Sequence, residues 1–161
     1  MPLLPASMVG LPEAGLVLIY SGIDTLGLLA AAPEIEDATG ETFKGWCKKY
    51  LLARLQSIDG KPLEAVDLWA ARCGVLHTSA PVSTLSRKGE AHEIWYWSQG
   101  KIGVNLCLNA KLEPLGMEIE KFAIAFKEGA LAFIVDLNND STSRQAADDR
   151  AQRFLRWGTE D

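Results

Sequence analysis

The sequence predicts a mainly α protein, a helical bundle of about five helices with a β-hairpin inserted at about 92–109. Three observations predict it. Apolar residues recur at three- and four-residue intervals along most of the chain; the interval shortens to two between Ile94 and Leu108; and clusters of Gly, Pro, Asn and Asp separate the periodic stretches. At 161 residues the chain fits one domain, 1–161, long enough to bury roughly two-thirds of its unfolded surface without cross-links. A hydrophobic content of 48% with 23% charged residues excludes a disordered chain. No internal repeat or low-complexity segment interrupts it.

The formal net charge of −5 excludes a broad non-specific nucleic-acid surface, because such binding rests on Lys and Arg neutralising phosphates. A local basic patch stays open. Cys47, Cys73 and Cys107 are odd in number and lack C-x-x-C spacing, which argues against a disulfide framework or a zinc knuckle and fits a reducing cytoplasm. The apolar run 14–32 carries Asp24 in its middle, and the first basic residue of the chain is Lys44. It therefore reads as a buried helix rather than a signal or membrane span.

Residues 1–11 hold prolines and no period, and read as a lead-in. From Pro12, Leu16, Ile19, Tyr20, Ile23, Leu26, Gly27 and Ala30 mark one helix face that ends near Pro33. Asp24 falls at the edge of that stripe with Ser21 three residues behind it, and a carboxylate there needs a partner. A structural acid and a site residue both fit. After the acidic connector 34–40, Thr39 or Thr42 can cap a second helix whose inner stripe is Phe43, Trp46, Cys47, Tyr50, Leu51, Arg54 and Leu55. Lys44, Lys48 and Lys49 lie outside the stripe as the densest basic cluster, either a solvated face or a phosphate contact.

Gly60 and Pro62 then punctuate a third helix, about 62–79, on which Ala70, Cys73, Gly74 and His77 share a face small enough for another backbone to approach. Residues 83–90 read as a polar loop, followed by the hairpin with Gln99-Gly100 as its turn and Trp95 and Trp97 on the face opposite Tyr96. Pro114 opens the longest expected helix, about 115–138. Its main stripe is Ile119, Phe122, Phe126, Ala130, Phe133 and Leu137, and Ile124, Leu131 and Val135 form a second flank, so more than one neighbour or an oligomer contact should cover it. A last helix, about 142–157, should bury Ala147, Ala151, Phe154 and Leu155, with Arg144, Arg150, Arg153 and Arg156 partly balanced by Asp148 and Asp149.

The stretch that can carry chemistry is Arg72-Cys73-Gly74-Val75-Leu76-His77. Arg72 and His77 are five residues apart, so on a straight helix they diverge by about 140°. One crevice can hold both at a helix end, with the arginine folded back, or where two copies of the helix meet across a two-fold axis. The same residues also fit structural duties: the histidine complementing the helix dipole and the arginine pairing with a carboxylate such as Asp24. A metal reading would use Cys73 and His77, four apart, with Cys47, Cys107 or His92, and no paired ligand motif supports it.

The stretch resembles the R-x-x-x-x-H motif of HEPN domains, helical bundles that often act as metal-independent endoribonucleases in toxin–antitoxin, antiviral and RNA-processing systems. It is also similar to an Arg-Cys-Gly-Leu-Leu-His form found in that group. The resemblance covers the frame from about 14 to 80 and, more loosely, 115 to 157, leaving the hairpin outside. It implies a HEPN-like helical bundle, an RNA substrate, a homodimer with a composite site and no cofactor. His77 would transfer protons and Arg72 would hold phosphate, since imidazole titrates near neutrality and guanidinium donates a fork of hydrogen bonds. Asp24, Ser21 and Cys73 would support them, and Lys44, Lys48 and Lys49 would contact RNA. Cys73 stands where active members commonly carry a polar residue. That keeps open a non-catalytic RNA-binding or protein-interaction module, such as a partner of a nucleotidyltransferase or an antitoxin.

Overall fold

The computed structural model describes residues 11–58, 60–78, 83–98, 101–104 and 111–154, the side chains of 11–13, 77–78, 101–104 and 154 excepted. It is mainly helical, with a small sheet inserted between the third and fourth long helices. Helix α1 (Leu11–Leu29) packs against four other helices and buries Leu16, Ile19, Tyr20, Ile23 and Leu28, while Ala30, expected inside, is exposed. Among the described residues no helix is long and apolar enough to cross a membrane.

Helix α2 (Gly40–Trp46) starts at a reciprocal cap. The Thr39 hydroxyl accepts the Thr42 N–H at 3.2 Å, and the Thr42 hydroxyl accepts the Thr39 N–H at 2.9 Å, which satisfies two amides that a helix start leaves open. The expected second helix continues as a π turn (Cys47–Leu51) and a 3-10 turn (Leu52–Arg54). Its inner stripe holds through these changes, since Phe43, Trp46, Cys47, Tyr50, Leu51 and Leu55 are all buried. Arg54 departs from it: exposed, it donates Nη1 to the Tyr50 carbonyl at 2.8 Å.

Helix α3 (Ala65–Thr78) begins three residues after Pro62, where buried Asp67 accepts the Glu64 N–H at 2.9 Å through one oxygen and the His92 N–H at 2.7 Å through the other. That carboxylate both caps the helix and fixes the approach to the sheet. Residues 84–88, expected as loop, form a short helix, α4 (Thr84–Lys88). The Ser83 side chain accepts the Ser86 N–H at its start, and Gly89, at φ 78°, ends it in the left-handed conformation that glycine adopts without strain.

The hairpin strands are β1 (Ile94–Ser98) and β2 (Lys101–Val104), antiparallel with a bulge between Tyr96 and Trp97; Gln99, Gly100, Leu106 and Leu108 lie outside the described residues. A third strand corrects the expected helix start at 115. Leu115–Glu118 form β3, parallel to β1 with Ile94 opposite Leu115 and Tyr96 opposite Met117, so the sheet order is β2-β1-β3. Those four side chains are buried on one face of the sheet, and Trp95 and Trp97 are half-buried on the other.

Helix α5 (Ile119–Asn139) buries Ile119, Phe122, Ala125, Gly129 and Phe133. Its second flank does not follow. Ile124, Leu131 and Val135 are 57%, 54% and 57% exposed, because α1, the π turn and the sheet cover only one side of the helix. Helix α6 (Ser141–Phe154) buries Ala147; the Phe154 side chain and Leu155 lie outside the described residues. The unexpected buried residue is Arg150, whose guanidinium donates to the Ala31 carbonyl at 2.8 Å and to the Leu29 and Ala32 carbonyls. It caps α1 from another helix, supplying donors and positive charge where a helix C-terminus needs both.

Two tests follow from this packing. Helix propensity alone favours Ala over Gly by about 1 kcal/mol, yet a Cβ at Gly129 would lie 2.7 Å from the Tyr50 carbonyl oxygen. Gly129→Ala is therefore expected to destabilise by about 1 to 3 kcal/mol in urea denaturation, and a gain in stability would show that the contact yields. Glu93 is buried with Oε2 unpartnered among the described residues, and burial pushes its carboxyl above the usual range, the nearby Trp95 indole opposing this by less. Such a group contributes its full stability below its unfolded pKa, about 4.3, and loses it as pH rises through the raised folded value. Glu93→Gln should then melt above wild type at about pH 7, with the gap closing at about pH 4. A wild type that melts higher at neutral pH would show a partner on the carboxylate.

Candidate functional site

Helix α3 carries the candidate site, and its two faces have different duties. Ala70, Ala71 and Gly74 are buried within the single chain, so its own elements fill the small-residue face expected to receive another backbone. Trp69, Arg72, Cys73, Val75 and Leu76 lie half-buried around the remaining arc.

Arg72 crosses from this arc to α1. Its Nε and Nη2 donate to the same Asp24 oxygen, Oδ2, at 2.8 and 2.7 Å, with side-chain exposures of 18% for Arg72 and 15% for Asp24. The guanidinium carbon also sits 5.0 Å from the centroid of the Trp69 ring, one turn earlier on α3. A cation over an indole face is attracted by the ring quadrupole, and the stack turns the side chain toward the helix N-terminus. Trp69 is itself held by Phe43, with ring centroids 5.4 Å apart, and by Gly40, where a Cβ would meet the indole at 3.0 Å. Sequence reasoning passed over Trp69; its place three residues before Arg72 was the available signal.

His77 lies in the last turn of α3, and its side chain is outside the described residues, as is Cys107. Asp24 does find the partner that its place on the stripe required. Ser21 is exposed, and its carbonyl accepts the Thr25 hydroxyl at 3.0 Å. Cys73 is half-buried next to Arg72. Behind the pair lies a buried polar group unmarked in the sequence: the Tyr20 and Tyr96 hydroxyls bond each other and join α1 to β1. Burial pushes both tyrosines up, and the Cys47 thiol is also raised, first by burial and then by the nearby Asp24 charge. Cys47 is thus a neutral core thiol rather than a nucleophile.

The three lysines expected at RNA lie on α2 and the π turn that follows it. Lys44 pairs with Glu41 at 2.6 Å, and Lys49 pairs with Asp136 at 2.9 Å while lying over the Tyr50 ring; Lys48 is exposed. Hydrogen bonds from Lys49 and from the Tyr50 hydroxyl hold the Asp136 carboxyl below its usual range. His92 bonds the Glu113 carbonyl through Nδ1 at 2.9 Å, and among the described residues no three His, Cys, Asp or Glu side chains converge as metal ligands would. No protein-family model matches the chain, and neither a curated protein nor a solved structure shows significant similarity to it.

The Asp24–Arg72 bond is measurable by a double-mutant cycle. Asp24→Ala and Arg72→Ala should each destabilise, and the cycle should return a coupling of about 1 to 3 kcal/mol, the range for charged hydrogen bonds with limited solvent contact. A coupling near zero would show that solvent competes fully for both partners.

Proposed function

We propose that the chain is a HEPN-type RNA-acting protein that cleaves RNA without a metal, with Arg72 as phosphate ligand and His77 as proton-transfer group. One observation carries this reading: Asp24 and Trp69 hold the Arg72 guanidinium in a set orientation at a partly exposed position on the helix whose last turn holds His77. A preoriented cation is what stabilisation of a pentacoordinate phosphorus requires, since no reorganisation is left for the moment of reaction. The RNA 2′-oxygen forms a bond to phosphorus as its proton leaves to a base, and the bond to the 5′-oxygen breaks as that oxygen gains a proton. Imidazole serves either transfer.

Arg72 folds back over Trp69, toward the N-terminus of α3, while His77 is in its last turn. A site that uses both groups on one phosphate is therefore completed by a second copy, the arginine of one facing the histidine of the other. In EDTA, the purified chain is expected to cleave single-stranded RNA to a 2′,3′-cyclic phosphate and a 5′-hydroxyl. Arg72→Ala and His77→Ala should each lower the rate by roughly a hundredfold or more. Mixing the two inactive variants should recover roughly a quarter of wild-type activity, because half the pairs are mixed and each mixed pair holds one intact site. Unchanged cleavage in both variants would remove the assignment.

The second reading is a non-catalytic module that binds RNA or a protein such as an antitoxin or nucleotidyltransferase. The tight engagement of Arg72 with Asp24 favours it, because that bond also serves as a plain lock between α1 and α3. It expects no turnover in wild type, with Arg72→Ala lowering stability or partner binding instead.

A further inference from the structure

We propose that the cavity between the end of α1, helix α2 with its π turn, and the last turns of α5 binds a small organic cation, an amine carried on an aromatic or cyclic aliphatic body. The cavity measures about 610 Å³, within the range of roughly 300 to 1,000 Å³ over which proteins hold small molecules. Its lining divides by chemistry. Trp46, Tyr50 and Phe133 supply aromatic rings, with centroids 5.6 Å apart for the first two and 5.5 Å for the last two. Gly27, Ala30, Ala31 and Gly45 supply walls almost free of side chain, and Lys49, Asp136 and Asp140 supply charge. The proposal does not rest on the RNA reading, since Asp24, Trp69 and Arg72 are not among the lining residues.

Two features of this lining have no reason in the packing of the chain itself. Gly45 stands inside the run of helical turns from Gly40 to Arg54, where glycine is a poor helix former. At Gly27 and Gly129 a Cβ would strike a backbone carbonyl, but at Gly45 nothing lies within 4 Å of one among the described residues. No close approach requires this glycine, and it forms part of the cavity wall, so the missing side chain is room left to a ligand. Trp46 is 2% exposed, and its indole N–H meets no acceptor among the described residues. Such a donor is costly to leave unpaired, and it belongs to a second residue of the same wall.

Charge selects the sign of the ligand. Asp136 and Asp140 line the cavity with one ammonium, Lys49; Glu41, the third carboxylate, is paired with Lys44. Asp140 keeps its charge while it caps α6 and accepts the Ser143 hydroxyl. The Lys49 Nζ lies 2.9 Å from Asp136 and 4.8 Å from the centroid of the Tyr50 ring. A carboxylate beside an aromatic face is what an organic ammonium requires, so the chain's own lysine marks the position. Its side chain is 63% exposed, and a ligand ammonium can exchange with it. The Tyr50 hydroxyl donates to Asp136 at 2.9 Å and orients that carboxylate for either ammonium. An anionic ligand fits less well, because it brings its charge beside two carboxylates while the one lysine is already engaged.

Titration of isotope-labelled protein by amide NMR tests the proposal with three probes on one aromatic body: phenethylamine, phenethyl alcohol and hydrocinnamate. The amine should shift the Gly45 amide and Trp46 indole resonances saturably and bind roughly fivefold or more tighter than the neutral alcohol, with no binding of the anion. Asp136→Asn should bring the amine down to the affinity of the alcohol, whereas Lys49→Met removes the internal competitor and should raise amine affinity roughly fivefold. Gly45→Leu introduces a good helix former and should abolish binding with the circular dichroism of the fold unchanged. Asp136 and Lys49 are both exposed, so their variants decide the matter even where Gly45→Leu unfolds. No saturable shift with phenethylamine at millimolar concentration would overturn the proposal, as would tighter binding of hydrocinnamate that Lys49→Met weakens. Unchanged amine affinity in Asp136→Asn, or in a folded Gly45→Leu, would do the same. None of these outcomes bears on RNA cleavage by Arg72 and His77.

Discussion

The arrangement of the helices depends on how closely α1 and α2 approach. At Gly27 a Cβ would lie 2.8 Å from the Thr42 carbonyl oxygen, so only glycine lets the two backbones meet. That contact starts a closed circuit. Thr42 closes the α2 cap, Phe43 follows it into the core and touches Trp69, Trp69 carries the Arg72 guanidinium, and Arg72 returns to Asp24 on α1, one turn before Gly27. Each link restricts the next, so a displacement of α2 away from α1 would move the indole on which the arginine rests. The candidate site is in this sense a consequence of helix packing, as preorganised sites are when rigid elements support them.

The circuit also explains why the interior tolerates its polar groups. Asp24 is near Cys47, and Cys47 near Tyr20, whose hydroxyl is satisfied by Tyr96 on the sheet. A carboxylate in this surrounding would be costly unpaired; Arg72 offsets its charge, and the tyrosine hydroxyls satisfy each other rather than competing for it. Arg150 performs the parallel service at the end of α1, where carbonyls without intrahelical partners meet a buried guanidinium. Two arginines thus fix α1 to different helices, one through a side chain and one through the backbone.

Much of this frame was legible in the residues. The three-and-four spacing of Leu16, Ile19, Tyr20 and Ile23 and of Phe43, Trp46, Cys47 and Tyr50 reports burial directly, and Asp24 at the edge of a stripe correctly demanded a partner. Strand β3 was hidden because Leu115 and Met117 alternate for only four residues before a helical period begins at Ile119, too short a run to outweigh Pro114 as a helix opener. The role of Arg150 had no local signal: among Arg144, Arg153 and three-residue neighbours of like polarity, nothing in α6 marks which arginine meets the end of a helix more than a hundred residues earlier. The partners of the lysine cluster were legible only in part for a related reason. Glu41 is near Lys44 in sequence, but Asp136, which engages Lys49, arrives only through the tertiary fold.

The second flank of α5 is where apolar pattern and internal packing disagree most plainly. Ile124, Leu131 and Val135 repeat with the regularity of a buried stripe, yet among the described residues no element covers them. Local sequence choices in natural proteins generally agree with the fold, and this flank is an exception among the described residues. On α3 the arginine turns toward the helix N-terminus, over Trp69 and onto Asp24, while on α5 the uncovered side chains are aliphatic, so the two helices leave different kinds of side chain at the surface.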